Sequence, residues 1–280
     1  MIVDFHTHIF PPGLKEHREK YLDGDSCFQS LYSSPAAKVA TAEDLVSAMD
    51  KDGIEISVAL NFGWQSHELC VETNNYILEA ISRYPDRLVG FCAIQPLTGE
   101  KAIYEMERCA RAGFKGVGEL RPDAQGFDLA DRVSMAPIAE AAKKLGLILL
   151  FHTSEPVGHD YKGKGQVTPD QVYRFITAFP GVSVVCAHWG GGLPFYALMP
   201  EVAMAFQNAY FDTAATPLLY KPQIYRSVSE IIGSDKILFG SDYPLLSAGR
   251  LVSQIRSVEL DVHDTNAILG GNAQKLLKIG

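Results

Sequence analysis

Eight short apolar runs, each followed by a helical pattern, limit what this chain can fold into more than any other feature of its sequence. The runs are Ile2–His8, Ile56–Phe62, Leu88–Gln95, Gly116–Leu120, Leu147–His152, Val182–His188, Tyr210–Ala214 and Lys236–Gly240. Most are near-continuous in Val, Ile, Leu and Phe rather than alternating, the pattern of parallel strands covered on both faces. Between them lie helical patterns. Thr41 reads as the N-cap of a helix ending before Gly53. Others cover roughly Glu68–Tyr84, Glu100–Ala112, Met135–Leu145, Pro169–Phe179, Pro194–Phe206, Leu218–Ile232 and Leu251–Leu260, with Thr265–Ile279 as a terminal helix. Strict alternation of eight β-then-α units predicts an α/β protein, a (β/α)8 barrel in a single domain over residues 1–280. A doubly wound open sheet is the competing architecture, but no Gly-rich phosphate turn follows the first strand. Two connections are long, Phe10–Ala40 and Ser154–Val167. Such βα loops belong at the C-terminal rim of a barrel, where they form lids and substrate pockets.

Composition excludes several classes. The 47% hydrophobic content is ample for a sizeable core, and no apolar run reaches the ~18 residues of a membrane span. The formal net charge is −8, with no Lys/Arg block, which argues against nucleic acid or an anionic membrane as partner. The five cysteines, Cys27, Cys70, Cys92, Cys109 and Cys186, form no C-x-x-C pair. With no secretory signal pattern at the N-terminus, a reducing cytoplasm is the expected location. A small-molecule substrate is the expected partner, and a homodimer the default assembly.

The chemistry gathers at strand ends. His6 and His8, two apart in a strand, should share a face and offer two nitrogens to a divalent metal. His152, His188 and Asp242 close later strands in the same manner, with Ile148 and Leu150, Val184 and Cys186, and Leu238 and Gly240 as the respective residues of matching parity below them. A parallel barrel brings all these strand ends to one rim.

These residues resemble the amidohydrolase superfamily, in particular the amidohydrolase-related branch that includes aminocarboxymuconate-semialdehyde decarboxylase and related aromatic-acid decarboxylases. The matching pieces are Asp4-Phe5-His6-Thr7-His8, Phe151-His152-Thr153, Ala187-His188-Trp189-Gly190-Gly191 and Phe239-Gly240-Ser241-Asp242-Tyr243-Pro244, with Gly270-Gly271-Asn272-Ala273 as the closing segment. The resemblance implies that His6, His8, His152 and Asp242 ligate a divalent ion, zinc first and manganese as the alternative. His188 would be a further ligand or a catalytic acid/base, and Asp242 a proton acceptor. Glu119 departs from the decarboxylase pattern: a carboxylate ending strand four resembles hydrolytic relatives of the TatD type, which use it to hold a second metal. A salt bridge to Arg121 is the competing role for it. One ion, or two if Glu119 ligates, is therefore expected.

Other residues complete the expected site. Asp4, by parity with His6 and His8, should point into the barrel beneath them, as an orienting partner or as part of a polar layer. Arg121 could clamp a substrate carboxylate. His159 and Lys164 of the strand-five loop, and Trp64 after strand two, are candidate substrate contacts. The leading expectation is a metal-dependent hydrolase cleaving a C–O or C–N bond in a small, carboxylated molecule. The alternative is a metal-dependent non-oxidative decarboxylase of an aromatic or unsaturated acid. A non-catalytic binding protein on the barrel scaffold is the third class.

Overall fold

The barrel that the alternation predicts is present in the computed structural model, which describes residues 1–280. Its strands are β1 (Val3–His8), β2 (Ile56–Leu60), β3 (Leu88–Cys92), β4 (Gly116–Leu120), β5 (Ile148–Phe151), β6 (Val184–Cys186), β7 (Ala209–Asp212) and β8 (Ile237–Leu238). They pair in parallel, in sequence order. Backbone hydrogen bonds from Phe5 to Phe239, Asp242 to His6 and His8 to Tyr243, at 2.7, 2.9 and 2.7 Å, bridge the seam between β8 and β1.

Val58, Leu60, Phe91, Ile148, Leu150, Val185 and Leu238 fill the barrel interior. Ala59, Cys92, Val117, Leu149, Phe151, Val184 and Phe239 turn outward onto the helix layer. Because both faces are buried, apolar residues occupy both parities, and the strands read as unbroken runs.

Two strands are not regular, and both irregularities bear on chemistry. On β1, Asp4 pairs with Ser57 and Thr7 with Ala59, so Phe5 and His6 together oppose Val58 alone. On β4, Val117 pairs with Leu149 and Leu120 with Phe151, so Gly118 and Glu119 oppose Leu150 alone. Each is a β-bulge, which inserts a residue and re-aims the side chains beyond it. The β1 bulge corrects the expectation for Asp4. Asp4 lies on the parity of outward-facing Ala59, not on that of the interior residues Val58 and Leu60. Its carboxylate accepts from the amides of Ser241 and His6, at 2.9 and 3.2 Å, and so ties β1 to the chain after β8.

Helix boundaries follow local chemistry. Thr41 and Asp44 form a capping box at the start of Ala42–Asp52, and Gly53 ends that helix with φ of 71°. The expected helices over 194–206 and 218–232 are each broken. Pro200 opens a fresh helix, Pro200–Ala205, after the 3-10 turn Leu193–Leu198, and Pro222 lies between Thr216–Leu219 and Ile224–Ile232. Proline lacks the N–H a continuing helix would use, and the helix breaks at both positions, whereas Arg132–Leu145 carries Pro137 in its interior. The Phe10–Ala40 connection folds into three short helices, Pro12–Glu16, Glu19–Leu22 and Ser26–Tyr32. The last of these places Phe28 against Trp64 and Tyr32, with ring centroids 5.2 and 4.7 Å apart. All five cysteines are reduced and buried. No helix is long and apolar enough to cross a membrane.

Candidate metal centre

The ends of β1, β4, β5, β6 and β8 deliver His6, His8, Glu119, His152, His188 and Asp242 to one buried cluster. Strand five does so by simple alternation: Ile148 and Leu150 face the interior, and His152 follows on their side. Strand six does not. Val185 faces inward, so alternation would turn His188 outward; instead the backbone leaves β6 with φ of 55° at His188 and 59° at Trp189, and swings the imidazole in. Asp242 also sits in the left-handed region, at φ of 65°. Non-glycine residues adopt that conformation at a cost, and such positions gather at functional sites.

Three imidazoles are held from behind. His6 Nδ1 faces Asp212 Oδ2 at 2.8 Å, His8 Nδ1 faces the Asn61 carbonyl at 3.2 Å, and His188 Nδ1 faces the Ala214 carbonyl at 3.2 Å. Facing an acceptor, each Nδ1 carries a hydrogen, so in the neutral ring Nε2 is the lone pair and in the charged ring it holds the second proton. The Nε2 atoms of His6 and His8 stand 3.1 Å apart. With both rings neutral, two lone pairs at that distance would repel; a metal ion beside them, or a proton held by His6 and shared with His8, relieves this. The donor set fits a metal ion: nitrogen and carboxylate oxygen, with the His6, His8 and His188 rings each fixed by an outer partner.

Glu119 sits at the middle. Its Oε1 is 3.0 Å from His152 Nδ1, 3.5 Å from His188 Nε2 and 3.9 Å from His6 Nε2, and its Oε2 is 3.9 Å from His8 Nε2. Asp242 Oδ1 lies 3.5 Å from His8 Nε2 and 3.8 Å from His6 Nε2. Two groups of three donors are close enough to hold an ion, His6–His8–Glu119 and Glu119–His152–His188, and Glu119 belongs to both. The salt bridge to Arg121 that competes for Glu119 is absent; its ion-pair partners are the four imidazoles.

The electrostatics follow from this crowding. Burial alone would lower the pKa of His6, but Asp212, Glu119 and Asp242 outweigh it and raise it to about 10. Burial would raise Glu119, yet His152, His188 and His6 hold it well below the carboxylate range. Asp242 is likewise drawn down to about 2, against burial, by His8, His6 and His188. His188 is raised despite burial, through Glu119 and Asp242. His152 is lowered by burial and then by Arg121. A proton on His6 thus occupies the electrostatic position a metal would take.

Other expected contacts are not brought to this cluster. Trp64 is fully buried among Phe10, Phe28 and Phe62, and its indole donates to Asn61 Oδ1 at 3.2 Å, so it supports the rim from behind. His159 is exposed and leans on Tyr161. The Lys164 ammonium donates to the carbonyls of His159 and Val157, at 3.2 and 3.4 Å, within its own loop. Arg121 is buried, with its guanidinium donating to the Gly163 carbonyl at 2.8 Å. Sequence reading missed Asp212 and Asn61. Asp212 carried a readable signal, since it ends the run Ala209-Tyr210-Phe211 just as the candidate ligands end theirs. Asn61 acts through its backbone carbonyl, which any residue would supply.

A (β/α)8 barrel with this donor cluster at its C-terminal rim defines a metal-dependent enzyme class. The particular family follows from comparison with known proteins. The chain belongs to the amidohydrolase family, whose profile matches residues 3–279, and it is an enzyme of the amidohydrolase superfamily. It is 24% identical to 2-amino-3-carboxymuconate-6-semialdehyde decarboxylase of Dictyostelium discoideum, across 98% of this chain and 91% of that one. It is also 24% identical to gamma-resorcylate decarboxylase of Polaromonas sp., across 84% of this chain and 86% of that one. Among solved structures, 5-carboxyvanillate decarboxylase of Novosphingobium aromaticivorans, complexed with manganese and 4-hydroxy-3-methoxy-5-nitrobenzoic acid, superposes with a TM-score of 0.83 at 18% identity, covering 100% of this chain and 96% of that one.

Proposed function

We propose that this protein is a metal-dependent non-oxidative decarboxylase of an aromatic or unsaturated carboxylic acid. The observation that carries the reading is the near-full-length similarity to curated decarboxylases, joined to the buried cluster of His6, His8, His152, His188 and Asp242. Those relatives shift the balance away from hydrolysis, the first expectation from the sequence. His6, His8, His152, Asp242 and Glu119 are the residues that would hold the ion. Zinc suits the imidazole-rich donor set, and the manganese-bound relative makes manganese the ion to test beside it. A bound divalent ion supplies Lewis-acid polarisation of a substrate oxygen.

The chain's own residues handle the proton. His188 faces Glu119 with Nε2 while Nδ1 is held by the Ala214 carbonyl, so a proton on Nε2 points into the cluster. It passes from Nε2 to the carbon bearing the carboxylate. The bond to that carboxylate breaks, its electron pair stays on carbon, and neutral CO2 leaves. Water then returns a proton to His188. Asp242, held ionised at about 2, is a ligand and not a donor in this scheme. The test is release of CO2 from a panel of hydroxybenzoic and unsaturated dicarboxylic acids by metal-loaded protein. His188→Gln should lower kcat about 10²–10⁴-fold with metal content unchanged. Turnover of lactones or amides without CO2 from any acid would overturn the reading.

One observation favours a second reading, a two-ion hydrolase: Glu119 is shared by both three-donor groups. Metal analysis separates the two, since two equivalents per chain that fall to one in Glu119→Gln would favour the hydrolase.

A further inference from the structure

Arg121 is a permanent cation kept in the interior with no carboxylate in direct contact; Glu119 and Asp123 act on it only from longer range. Its side chain is 4% exposed, and no carboxylate oxygen lies within ion-pair distance of it. The Gly163 carbonyl takes one of its hydrogens, and its Nε–H is buried with no acceptor. Arginine cannot escape such a setting by losing its proton, and an unpaired buried charge is among the costliest features a fold can keep. The place is also built for it. A Cβ on Gly63 would come within 2.8 Å of Arg121 Cβ, so the chain after β2 is left bare where the base of the arginine packs. The charge sits beside the metal cluster and under the Phe10–Ala40 loop: it helps hold the His152 ring neutral, and it acts on Cys27 and Tyr32.

We propose that Arg121 is a specificity-determining residue that seats a carboxylate the substrate keeps through the reaction, away from the metal. A guanidinium with unpaired donors matches a carboxylate as a planar fork. The retained group is the one that belongs there. A carboxylate leaving as CO2 loses its charge, so pairing it with Arg121 would stabilise the ground state and not the transition state, and would slow the reaction. The seat itself rests on the geometry around Arg121; only the word "retained" rests on the decarboxylase reading.

The first test needs no turnover. Metal-stripped protein is titrated with benzoate, benzene-1,3-dicarboxylate and neutral benzamide at constant ionic strength, by calorimetry and thermal melting. Both carboxylates should bind the parent protein and raise its melting temperature, and benzamide should do neither. Arg121→Met should melt no lower than the parent yet bind benzoate at least tenfold more weakly, and Arg121→Lys should fall between the two. Gly63→Ala, which displaces the arginine without removing it, should also weaken benzoate. Benzoate affinity in Arg121→Met within twofold of the parent, or a melting temperature well below it, would overturn the seat. The second test uses metal-loaded protein: Arg121→Met should raise KM at least tenfold for dicarboxylic acids and leave it unchanged for monocarboxylic ones. Equal changes in both would overturn the retained assignment. Absence of CO2 from every acid would instead sink the decarboxylase reading and leave the benzoate titration standing.

Discussion

Asp212 shows how much of the centre is set by side chains that need not touch a metal. One carboxylate oxygen faces His6 Nδ1, and the other accepts from the amides of His188 and Ala214, each at 3.0 Å. A single residue of β7 therefore fixes the tautomer of His6 and the left-handed backbone of His188. Asp212→Asn keeps the size but removes the charge and one acceptor. Metal affinity, measured by competition with a chelator, should fall about 10–100-fold; an unchanged affinity would reduce Asp212 to a backbone staple. His6 carries a pH consequence. In the metal-free protein its pKa is raised from 6.5 to about 10, so its contribution to stability is complete below pH 6.5 and is lost as pH rises through 10. Metal must displace that proton, so metal uptake in weak buffer should release protons near neutral pH, and affinity should rise with pH over the same interval. Uptake without proton release would contradict a protonated His6 in the metal-free protein.

At the scale of elements, the β-bulges decide which side chains reach the centre. Val117 and Leu120 both pack outward, three residues apart, which regular alternation forbids; the extra residue between them lets Glu119 face the interior. Gly118 makes this possible. Its φ is 155°, and a Cβ there would lie 2.8 Å from the Leu150 carbonyl oxygen. Gly118→Ala should therefore cost about 2–3 kcal/mol in denaturant unfolding and disturb metal stoichiometry through Glu119. A full-strength metal site in a fully stable variant would show that the bulge does not position the carboxylate. Strand identity was legible in the sequence because apolar runs announce burial on both faces. Strand register was not. Parity gave His152 its correct side, but it gave Asp4 the wrong one and cannot account for the inward His188, since a bulge or a positive φ leaves no mark in hydrophobic periodicity.

For the whole molecule, the barrel is closed by the residues it is built to present: His6, His8 and Asp242 lend their backbones to the β8–β1 seam while their side chains form the cluster. Binding an ion there should stabilise the entire fold. At a free metal concentration about 100 times Kd the gain is roughly 2.7 kcal/mol, or about 5–10 °C in melting temperature for a chain of this size. Chelation should remove that increment and added metal restore it; a melting temperature indifferent to chelator would mean the cluster does not hold an ion in the native state. The sequence by itself determined the alternation of eight strands and helices, and with it the single rim on which His6, His8, Glu119, His152, His188 and Asp242 had to meet. It could do so because burial on both faces and strand order are properties of local composition and connectivity. Only the tertiary structure decided which atoms face one another: the two Nε2 atoms at 3.1 Å, the carboxylate shared by four imidazoles and the arginine whose Nε–H is left without an acceptor. Those depend on side chains far apart in the chain meeting at ångström distances, where bulges and turns, invisible to periodicity, set the aim.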